Sequence, residues 1–449
     1  MRKIVKKSKI SSLMILCIIC LGSIGLLASE INEGISLETA IRLAVENPYN
    51  LGPSSEAVAV ARAQVGQAGA ARWPSLGLSG QYTQIGPKTT INPINLMPKE
   101  EGVTDTYSTG FNLQLPLYMG GKINSSIVLA RLGLDNAEEE KKADYDELVY
   151  QVIQSYIGFL KADGMLGLSK EQIKLLTEHQ RLVETNLDLG YAAKTDLLET
   201  QIRLTQAELG SVKAEHGKKL AGENLCNLLD ITSGELILTS KPIISKDYSL
   251  PELQAALGTA EMHRLELNNL RRAIKIAEER LKMVGSYWKP NLAFIGTYGT
   301  QNKNSFTLDD AIWSFTLNLD WKLFDGGKGQ AEVKEAEANL RKLNYLFEQS
   351  KNMINLEVRQ KYLTATEAAR VLELTELSRQ QTEENYEFLK TKYQLGAATN
   401  LELLSAHNSL NSALNDHLNA EYDYYLAILS LYKAMGETEK FMLEVSMDA

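Results

Sequence analysis

Four stretches of the chain alternate between apolar and polar residues, two in each half of the sequence. A period of two places the apolar side chains on one face of a β-strand and the polar ones on the other. Each stretch is about ten residues long, which is the length that a tilted strand needs to cross a bilayer. A half-buried sheet in a water-soluble protein shows the same alternation, so the pattern alone leaves the surroundings open. The apolar members are Leu76, Leu78 and Tyr82; Phe111, Leu113, Leu115 and Leu117; Leu292, Phe294 and Tyr298; and Phe315, Leu317, Leu319, Trp321 and Leu323.

Elsewhere the apolar residues recur at three- and four-residue steps, which predicts helices with one buried face. Ser36 is predicted to cap a first short helix, which Pro48 and Pro53 are expected to end. A second helix is predicted at about 54–72, and its counterpart in the second half at about 255–287. Two pairs of long antiparallel helices follow the strands, at about 122–189 with 195–229 and at about 330–395 with 401–435.

The first long helix would span about 100 Å, although Gly164 and Gly167 are places where it could divide. Gly190 and Gly396 are predicted to reverse the chain between the paired helices, because glycine takes the left-handed conformation that ends a helix. The three-four spacing of these pairs is typical of coiled coils. The segments 230–251 and 437–449 are predicted to be irregular.

The two halves of the sequence repeat one structural unit. Gly121 and Gly327 are 206 positions apart, and Leu189-Gly190 and Leu395-Gly396 keep the same spacing. This spacing predicts two repeats, at 30–240 and 241–449, each with a β-hairpin (75–119 and 291–324) followed by a long helix pair. The first repeat carries about ten extra residues, which are predicted to form an exposed loop at 85–105.

Residues 1–29 are predicted to form a secretory signal peptide. Five basic residues precede an apolar run that ends near Ala28 and Ser29. Because the apolar run is long for a signal, an uncleaved inner-membrane anchor is the alternative. The net charge of −9 makes nucleic acid an unsuitable partner. After cleavage Cys226 is the sole cysteine, which excludes an intrachain disulfide and a thiolate zinc site.

Oligomer formation follows from the strand count. Membrane strands must close into a barrel, and four strands are too few to enclose an interior. A cyclic trimer, whose three copies supply twelve strands, is therefore predicted. The polar side of the strands would line a water-filled passage, and its predicted members are Asn112, Gln114, Thr316, Asn318, Asp320 and Lys322.

The duplicated strand-Gly-Gly-helix junctions, the Leu-Gly helix turns and the tryptophans at Trp73-Pro74 and Trp288-Lys289-Pro290 together resemble the TolC-like outer-membrane efflux protein family. The resemblance covers essentially the whole chain after the signal. It implies a mainly α fold in a homotrimer, with a periplasmic α-barrel of coiled-coil helices and a 12-stranded transmembrane β-barrel. It also implies a passive outer-membrane exit duct for efflux or type I secretion, which docks with a periplasmic adaptor and an inner-membrane pump.

The resemblance also suggests site residues. Acidic residues just after the helix turns would ring the closed end of the tunnel, here Asp196 and Glu402, with Glu199 nearby and Ser405 where a further acid can occur. Crowded like charges would attract cations at a constriction. The alternative is that Asp196 and Glu402 only occupy first helical turns, where acids are favoured. The adaptor-contacting tips would be Leu189, Gly190, Leu395 and Gly396, without the arginine that often precedes Leu-Gly in the family. The strand-helix junctions are Gly120, Gly121, Gly326 and Gly327.

Signals for enzymatic activity are weak. The sequence Gly326-Gly327-Lys328-Gly329 lacks the spacing and the Ser/Thr of a phosphate loop, so a strand-helix turn is the better interpretation. The five histidines lack metal-ligand spacing and are predicted to lie on helix surfaces. No catalytic residue, metal site or cofactor is therefore predicted. A second functional class, a non-conducting coiled-coil scaffold anchored by an uncleaved N-terminal helix, remains open at this point.

Overall fold

The computed structural model describes residues 34–91, 98–101, 104–231, 237–239, 242–244, 250–302 and 305–447. The predicted signal peptide at 1–29 lies outside these residues. The helices within them are α1 (Leu37–Glu46), α2 (Pro48–Ala70), α3 (Lys122–Asp188), α4 (Lys194–Leu229), α5 (Leu253–His263), α6 (Leu265–Gly285), α7 (Lys328–Gln394), α8 (Asn400–Met435) and α9 (Thr438–Glu444). The strands are β1 (Ser75–Ile85), β2 (Lys88–Ile91), β3 (Pro98–Glu101), β4 (Thr104–Met119), β5 (Pro242–Ile244), β6 (Asn291–Asn302), β7 (Ile312–Asp320) and β8 (Val445–Met447).

The helices before the strands differ in two places from the prediction. Ser36 does cap α1, since its hydroxyl accepts a hydrogen bond from the Thr39 N–H at 3.2 Å. Pro48, however, begins α2, and Pro53 lies inside that helix. Proline suits a first helical turn, where the N–H groups lack intrahelical acceptors. The single helix expected at 255–287 is two helices, because Arg264 between α5 and α6 has an extended backbone.

The long helices follow the predicted ranges closely, and α3 and α7 each run for 67 residues. The suggested division of α3 at Gly164 or Gly167 is wrong, since the helix is continuous through both positions. Gly164 instead makes room for a neighbour: a Cβ added there would lie 3.1 Å from a methyl group of Leu418. The small size of Gly164 therefore allows α3 to pack against α8, and it does not break the helix.

Four strands form one antiparallel sheet in the order β1-β4-β6-β7. Its register aligns the predicted apolar residues across the strands: Leu78 pairs with Phe111, Phe111 with Tyr298, and Tyr298 with Trp313. The alternation therefore produces one mainly apolar face and one mainly polar face. Both faces of β7 are solvent-exposed in the single chain.

The predicted strand ends need two corrections. The register between β4 and β6 shifts between Pro116 and Tyr118, so that Tyr118, rather than Leu117, pairs with Leu292. Pro116 has no N–H for the ladder, and a bulge accommodates that loss. In the second half, β7 ends at Asp320, so Trp321, Lys322 and Leu323 lie beyond the strand.

Three segments predicted as irregular contain regular structure. Within 85–105, the strands β2 and β3 pair antiparallel, while residues 92–97 and 102–103 lie outside the described residues. The segments after α4 and α8 meet each other, because β5 pairs with β8. The last segment also includes the short helix α9. These pairings join stretches whose short apolar runs carry no periodicity that sequence reasoning could use.

The chain divides into two compact units, and each takes segments from both sequence repeats. The first comprises residues up to 53 with 141–267 and 350–449, and the second comprises 54–140 and 268–349. The repeat boundaries at 30–240 and 241–449 stay a prediction. The core of the first unit packs α1 against α3, α4 and α8 around fully buried Tyr156, whose hydroxyl donates to the Ile35 carbonyl at 3.1 Å. Among the described helices, none combines the length and apolar character required to span a membrane.

Candidate functional site

The two helix turns at 189–193 and 395–399, hereafter the tip turns, have the same backbone geometry. Gly190 and Gly396 take positive φ values of 78° and 74°. In the first turn the Tyr191 N–H donates to the Asn186 carbonyl at 2.7 Å, and in the second the Ala397 N–H donates to the Lys392 carbonyl at 2.8 Å. These bonds satisfy helix-end carbonyls, as in a Schellman motif. The predicted tip residues Leu189 and Leu395 are exposed.

The predicted aperture acids Asp196 and Glu402 both cap helices. The Asp196 carboxylate accepts from the Ala193 N–H at 3.0 Å, and the Glu402 carboxylate accepts from the Thr399 N–H at 2.7 Å. In turn, the Thr399 hydroxyl accepts a hydrogen bond from the Glu402 N–H, which completes a capping box on α8. Ala193 has no side-chain acceptor, so α4 has only the acidic half of that arrangement.

Those hydrogen bonds favour the ionised form of Glu402. The Thr399 backbone N–H and then its hydroxyl lower the pKa of Glu402 from the usual value. Glu402 and the predicted third acid, Glu199, are exposed to solvent, while Asp196 is half-buried. The geometry thus gives Asp196 and Glu402 a structural role at helix starts, and their role in an aperture stays a prediction.

A hydrogen-bonded chain across three helices brings the first turns of α4 and α8 together. Asn400, the first residue of α8, is 5% exposed. Its side-chain N–H donates to the Asp196 carbonyl at 3.2 Å, and its oxygen lies 2.7 Å from His179 Nε2 on α3. The two acid-bearing helix starts are therefore at the same end of the helix bundle. The Tyr393 ring lies 5.4 Å from the His179 ring, so α7 joins the cluster.

A second histidine near these turns is buried without a partner for one ring nitrogen. His407 is 5% exposed, and its Nδ1 has no hydrogen-bond partner among the described residues. Burial, with a smaller effect of the charge of His179, lowers the pKa of His407 to about 4. Burial also lowers the pKa of His179, against the opposing effect of its bond to Asn400. Both histidines are therefore neutral at pH 7.

The prediction that the five histidines lie on helix surfaces is wrong for His179 and His407. The tertiary cluster that includes Asn400, Tyr386 and Tyr393 was not identified from the sequence. The position that corresponds to Asn400 in the first repeat is Lys194, so comparing the two repeats does not identify Asn400 as a member of a cluster. One signal was available: His407 falls between Leu403, Leu404 and Leu410, which form the buried face of α8.

All four glycines of the predicted strand-helix junctions have positive φ values: Gly120, Gly121, Gly326 and Gly327 lie between 65° and 92°. Only glycine takes these values without strain, so the Gly-Gly pairs form the turns between strand and helix. In the second junction the Asp325 carboxylate accepts from the Gly327 N–H at 3.0 Å and the Gly329 N–H at 2.7 Å. These amides are therefore engaged within the chain, which agrees with a turn and not with a phosphate loop.

The two faces of the main sheet differ sharply in chemistry. The apolar face exposes large side chains such as Leu78, Phe315 and Leu317, each at least 63% exposed. The opposite face carries mostly small, hydroxyl and amide residues, together with Ile295 and Ile312. Its members near the middle of the sheet are Gly77, Ser79, Gly110, Asn112, Thr297, Gly299 and Ser314. Such a sheet can meet lipid on one side and water on the other.

Two long helices also carry exposed apolar residues along one side. On α4 these are Leu198, Ile202, Leu209, Val212 and Leu220, and on α7 they are Met353, Leu356, Leu363, Leu374 and Leu377. Each is about half or more exposed, and at 3.6 residues per turn each set falls on one side of its helix. We call these sets the α4 stripe and the α7 stripe. Within the described part of the chain, no group of three or more potential ligands could hold a metal ion.

Comparison with known proteins gives one consistent result. The sequence profile of the family described as "Outer membrane efflux protein" matches residues 40–229 and again 256–437. The chain is 24% identical over 359 residues to the alkaline protease secretion protein AprF of Pseudomonas aeruginosa, which covers 77% of this chain and 73% of AprF. It is 23% identical over 415 residues to the cation efflux system protein CusC of Escherichia coli O157:H7, covering 89% and 85% of the two chains. The solved structure of the Campylobacter jejuni CmeC outer membrane channel superposes with a TM-score of 0.76 at 18% identity, over 90% of this chain and 86% of that one.

Proposed function

The chain belongs to the outer membrane efflux protein family, and we propose that it is the outer-membrane exit duct of a tripartite efflux or type I secretion system. The single observation that carries this function is the main sheet, which exposes an apolar face and a polar face in a chain of this family. The duct conducts passively and carries out no catalysis.

The proposal includes a homotrimer. The sheet has two edge strands, β1 and β7, whose outer backbone groups have no partner strand within the described chain. In lipid such edges must pair, and joining β7 of one copy to β1 of the next closes twelve strands in three copies. The polar face would then line the barrel, and the apolar face would contact lipid.

The helices support the same assembly. The residues of the α4 and α7 stripes stay about half or more exposed within one chain, although exposed apolar stripes of this length are unusual in monomeric proteins. Packing the α7 stripe of one copy against the α4 stripe of the next would cover both. The resulting ring of coiled-coil pairs would form a periplasmic tunnel that continues the barrel.

The tip turns are the proposed contact with the periplasmic adaptor and the inner-membrane pump. Leu189, Tyr191 and Leu395 are each more than 60% exposed at these turns, so they offer apolar anchors for a partner. Gly190 and Gly396 hold the turns in shape, and no arginine precedes either Leu-Gly pair. The adjacent acids Asp196, Glu199 and Glu402 are proposed to ring the aperture at this end.

The test combines localisation, assembly and conductance. The full-length protein expressed in a Gram-negative host should fractionate with the outer membrane, begin near Ser29 or Glu30, and migrate as a trimer that heating dissociates. Reconstituted in planar bilayers, it should give stepwise ion currents. An unprocessed monomer in the inner membrane, without currents, would instead identify the anchored coiled-coil scaffold.

A further inference from the structure

One cleft on the polar face of the main sheet combines features of a ligand site. It lies at the end of the sheet near the strand-helix junctions and has a volume of about 610 Å³. Three amide side chains line it together with one carboxylate, Asp320, and one indole, Trp73. The amides are Gln114, Asn291 and Asn318.

Asp320 dominates the electrostatics of this face. Within the four described strands of the sheet it is the only ionisable side chain on the polar side. Its carboxylate is exposed and makes no hydrogen bond or ion pair with the described residues. A single negative charge on an otherwise neutral surface attracts a cation and repels an anion.

A second acceptor beside Asp320 also lacks a donor. Asn291 pairs directly with Asp320 across β6 and β7, and the side chains of such a pair lie about 5 Å apart at Cβ. The Asn291 Oδ1 atom is buried and has no hydrogen-bond partner among the described residues. Leaving a buried acceptor unsatisfied is costly, so a donor that also neutralises Asp320 would stabilise both groups.

The other residues that line the cleft indicate which kind of cation would fit there. Trp73 is 74% exposed, and Pro116 and Met119 add apolar surface. An exposed indole stabilises both cations and apolar rings. Asp320 is the only acid, histidine or cysteine among the residues that line the cleft, so the cleft has few of the charged ligands that metal ions prefer.

We propose that this cleft binds organic cations that carry an ammonium or amidinium group on an apolar body. The cationic N–H groups would donate to Asp320 and, once the Asn291 amide turns towards the cleft, to its Oδ1 atom. The apolar body would lie against Trp73 and Met119. That the cleft faces the transport path rests on the proposed function, because the polar face lines the duct only in the closed barrel. A site of this kind would retain such a solute briefly at the entrance to the barrel.

The experiment measures binding of dansylcadaverine, a fluorescent primary amine, to the full-length protein in detergent by fluorescence anisotropy. Wild type should bind it saturably above the micelle background, and Asp320→Asn should weaken the affinity about tenfold, as expected for a lost charge-assisted hydrogen bond. Asp309→Asn is the matched control, because Asp309 is an exposed acid before β7 that lies outside the cleft, and it should bind like wild type. The N-acetylated, uncharged dye should bind weakly, and equally to wild type and to the Asp320 variant.

Two results would overturn the site: unchanged affinity of the Asp320 variant, or an equal loss in the Asp309 variant, which would indicate general surface attraction. Trp73→Ala, outside the strands, gives a second measurement and should also weaken binding. Bilayer currents recorded from the same samples separate the two proposals. If the protein gives currents but Asp320→Asn binds the dye like wild type, the duct is supported and the binding site is refuted. If dye binding depends on Asp320 but no currents appear, the binding site is supported and the duct is refuted.

Discussion

At the scale of single residues, the acids after the tip turns have an observed role as helix caps and a proposed role at an aperture. A carboxylate caps a helix through its oxygen atoms and repels its neighbours through its charge. Asn and Gln keep an acceptor oxygen of similar reach and remove the charge, whereas Ala removes both. Substitution can therefore distinguish a cap from an aperture group.

We expect the double variant Asp196→Asn, Glu402→Gln to keep the thermal stability of wild type and to lose much of its sensitivity to block by multivalent cations. The alanine pair Asp196→Ala, Glu402→Ala should lose both the block and part of the stability, because the Ala193 and Thr399 N–H groups lose their acceptors. Cation titrations of bilayer currents and thermal unfolding scans measure the two effects. If the Asn/Gln pair retains full cation block, these acids are caps alone.

His407 makes the packing near the tip turns sensitive to pH. Its folded pKa of about 4 lies below the usual value of 6.5, so the folded state favours the neutral ring. The stabilisation is complete above about pH 6.5 and is lost as the pH falls from there towards 4, at a cost of about 3 kcal/mol. Three charged or titratable groups surround His407. His179 interacts with it electrostatically, Tyr386 packs against the His407 ring, and Glu178 lies near Tyr386.

Amide hydrogen exchange should therefore show lower protection factors for residues 386–410 at pH 5 than at pH 7, after correction for intrinsic rates. In His407→Phe the difference in protection between pH 5 and pH 7 should be smaller. The difference that remains is assigned to His179, whose pKa is also lowered. His216, exposed on α4, provides the matched control through His216→Phe, which should keep the wild-type difference. Equal protection at both pH values would show that His407 is not linked to this packing.

At the scale of elements, the glycine pair Gly110 and Gly299 shows how closely β4 and β6 approach. The two residues face each other in the register, and a Cβ on Gly299 would lie 2.7 Å from the Thr109 carbonyl oxygen. That neighbour is backbone and cannot move aside without disturbing the ladder. We expect Gly299→Ala to destabilise the folded protein by about 1–3 kcal/mol.

The matched control is Gly77→Ala, on the same face of β1, where nothing lies within 4 Å of an added Cβ. It should unfold at the wild-type temperature or slightly above, since alanine restricts the unfolded chain. Thermal unfolding followed by circular dichroism measures both variants. A Gly299 variant as stable as the Gly77 variant would contradict the close approach.

The sequence predicted elements well where one periodicity ran undisturbed. The long helices and the four main strands are confirmed, because their patterns extend over many residues and glycines mark their ends. The bulge after Pro116 and the helical Pro53 were missed, because tertiary packing decides whether a strand or helix continues past a proline, and the local pattern does not show it. The pairing of β5 with β8 depends on residues far apart in sequence, and no local pattern encodes it.

The same limit applied to the functional site. Leu189, Gly190, Leu395 and Gly396 could be placed at turns because the repeat identifies them twice. The link from Asn400 to His179 could not be predicted, because it joins α8 to α3 through tertiary packing. The cleft at Asp320 also required the register, which alone shows that Asn291 is its neighbour.

At the scale of the whole molecule, the exposed stripes on α4 and α7 are the proposed contact between copies of the chain. A glutamate in the middle of the α7 stripe would bury an unpaired charge in the trimer and cost little in a single chain, where Leu363 is 67% exposed. Leu363→Glu should therefore shift the protein from trimer to monomer and abolish bilayer currents, while its helix content stays that of wild type. Leu363→Met, which keeps the volume and the apolar character, should remain a conducting trimer. Light scattering coupled to size-exclusion chromatography measures the mass, and circular dichroism measures the helices. A stable Leu363→Glu trimer would place the subunit contact elsewhere, because no packed interface of this kind accommodates an unpaired carboxylate at its centre.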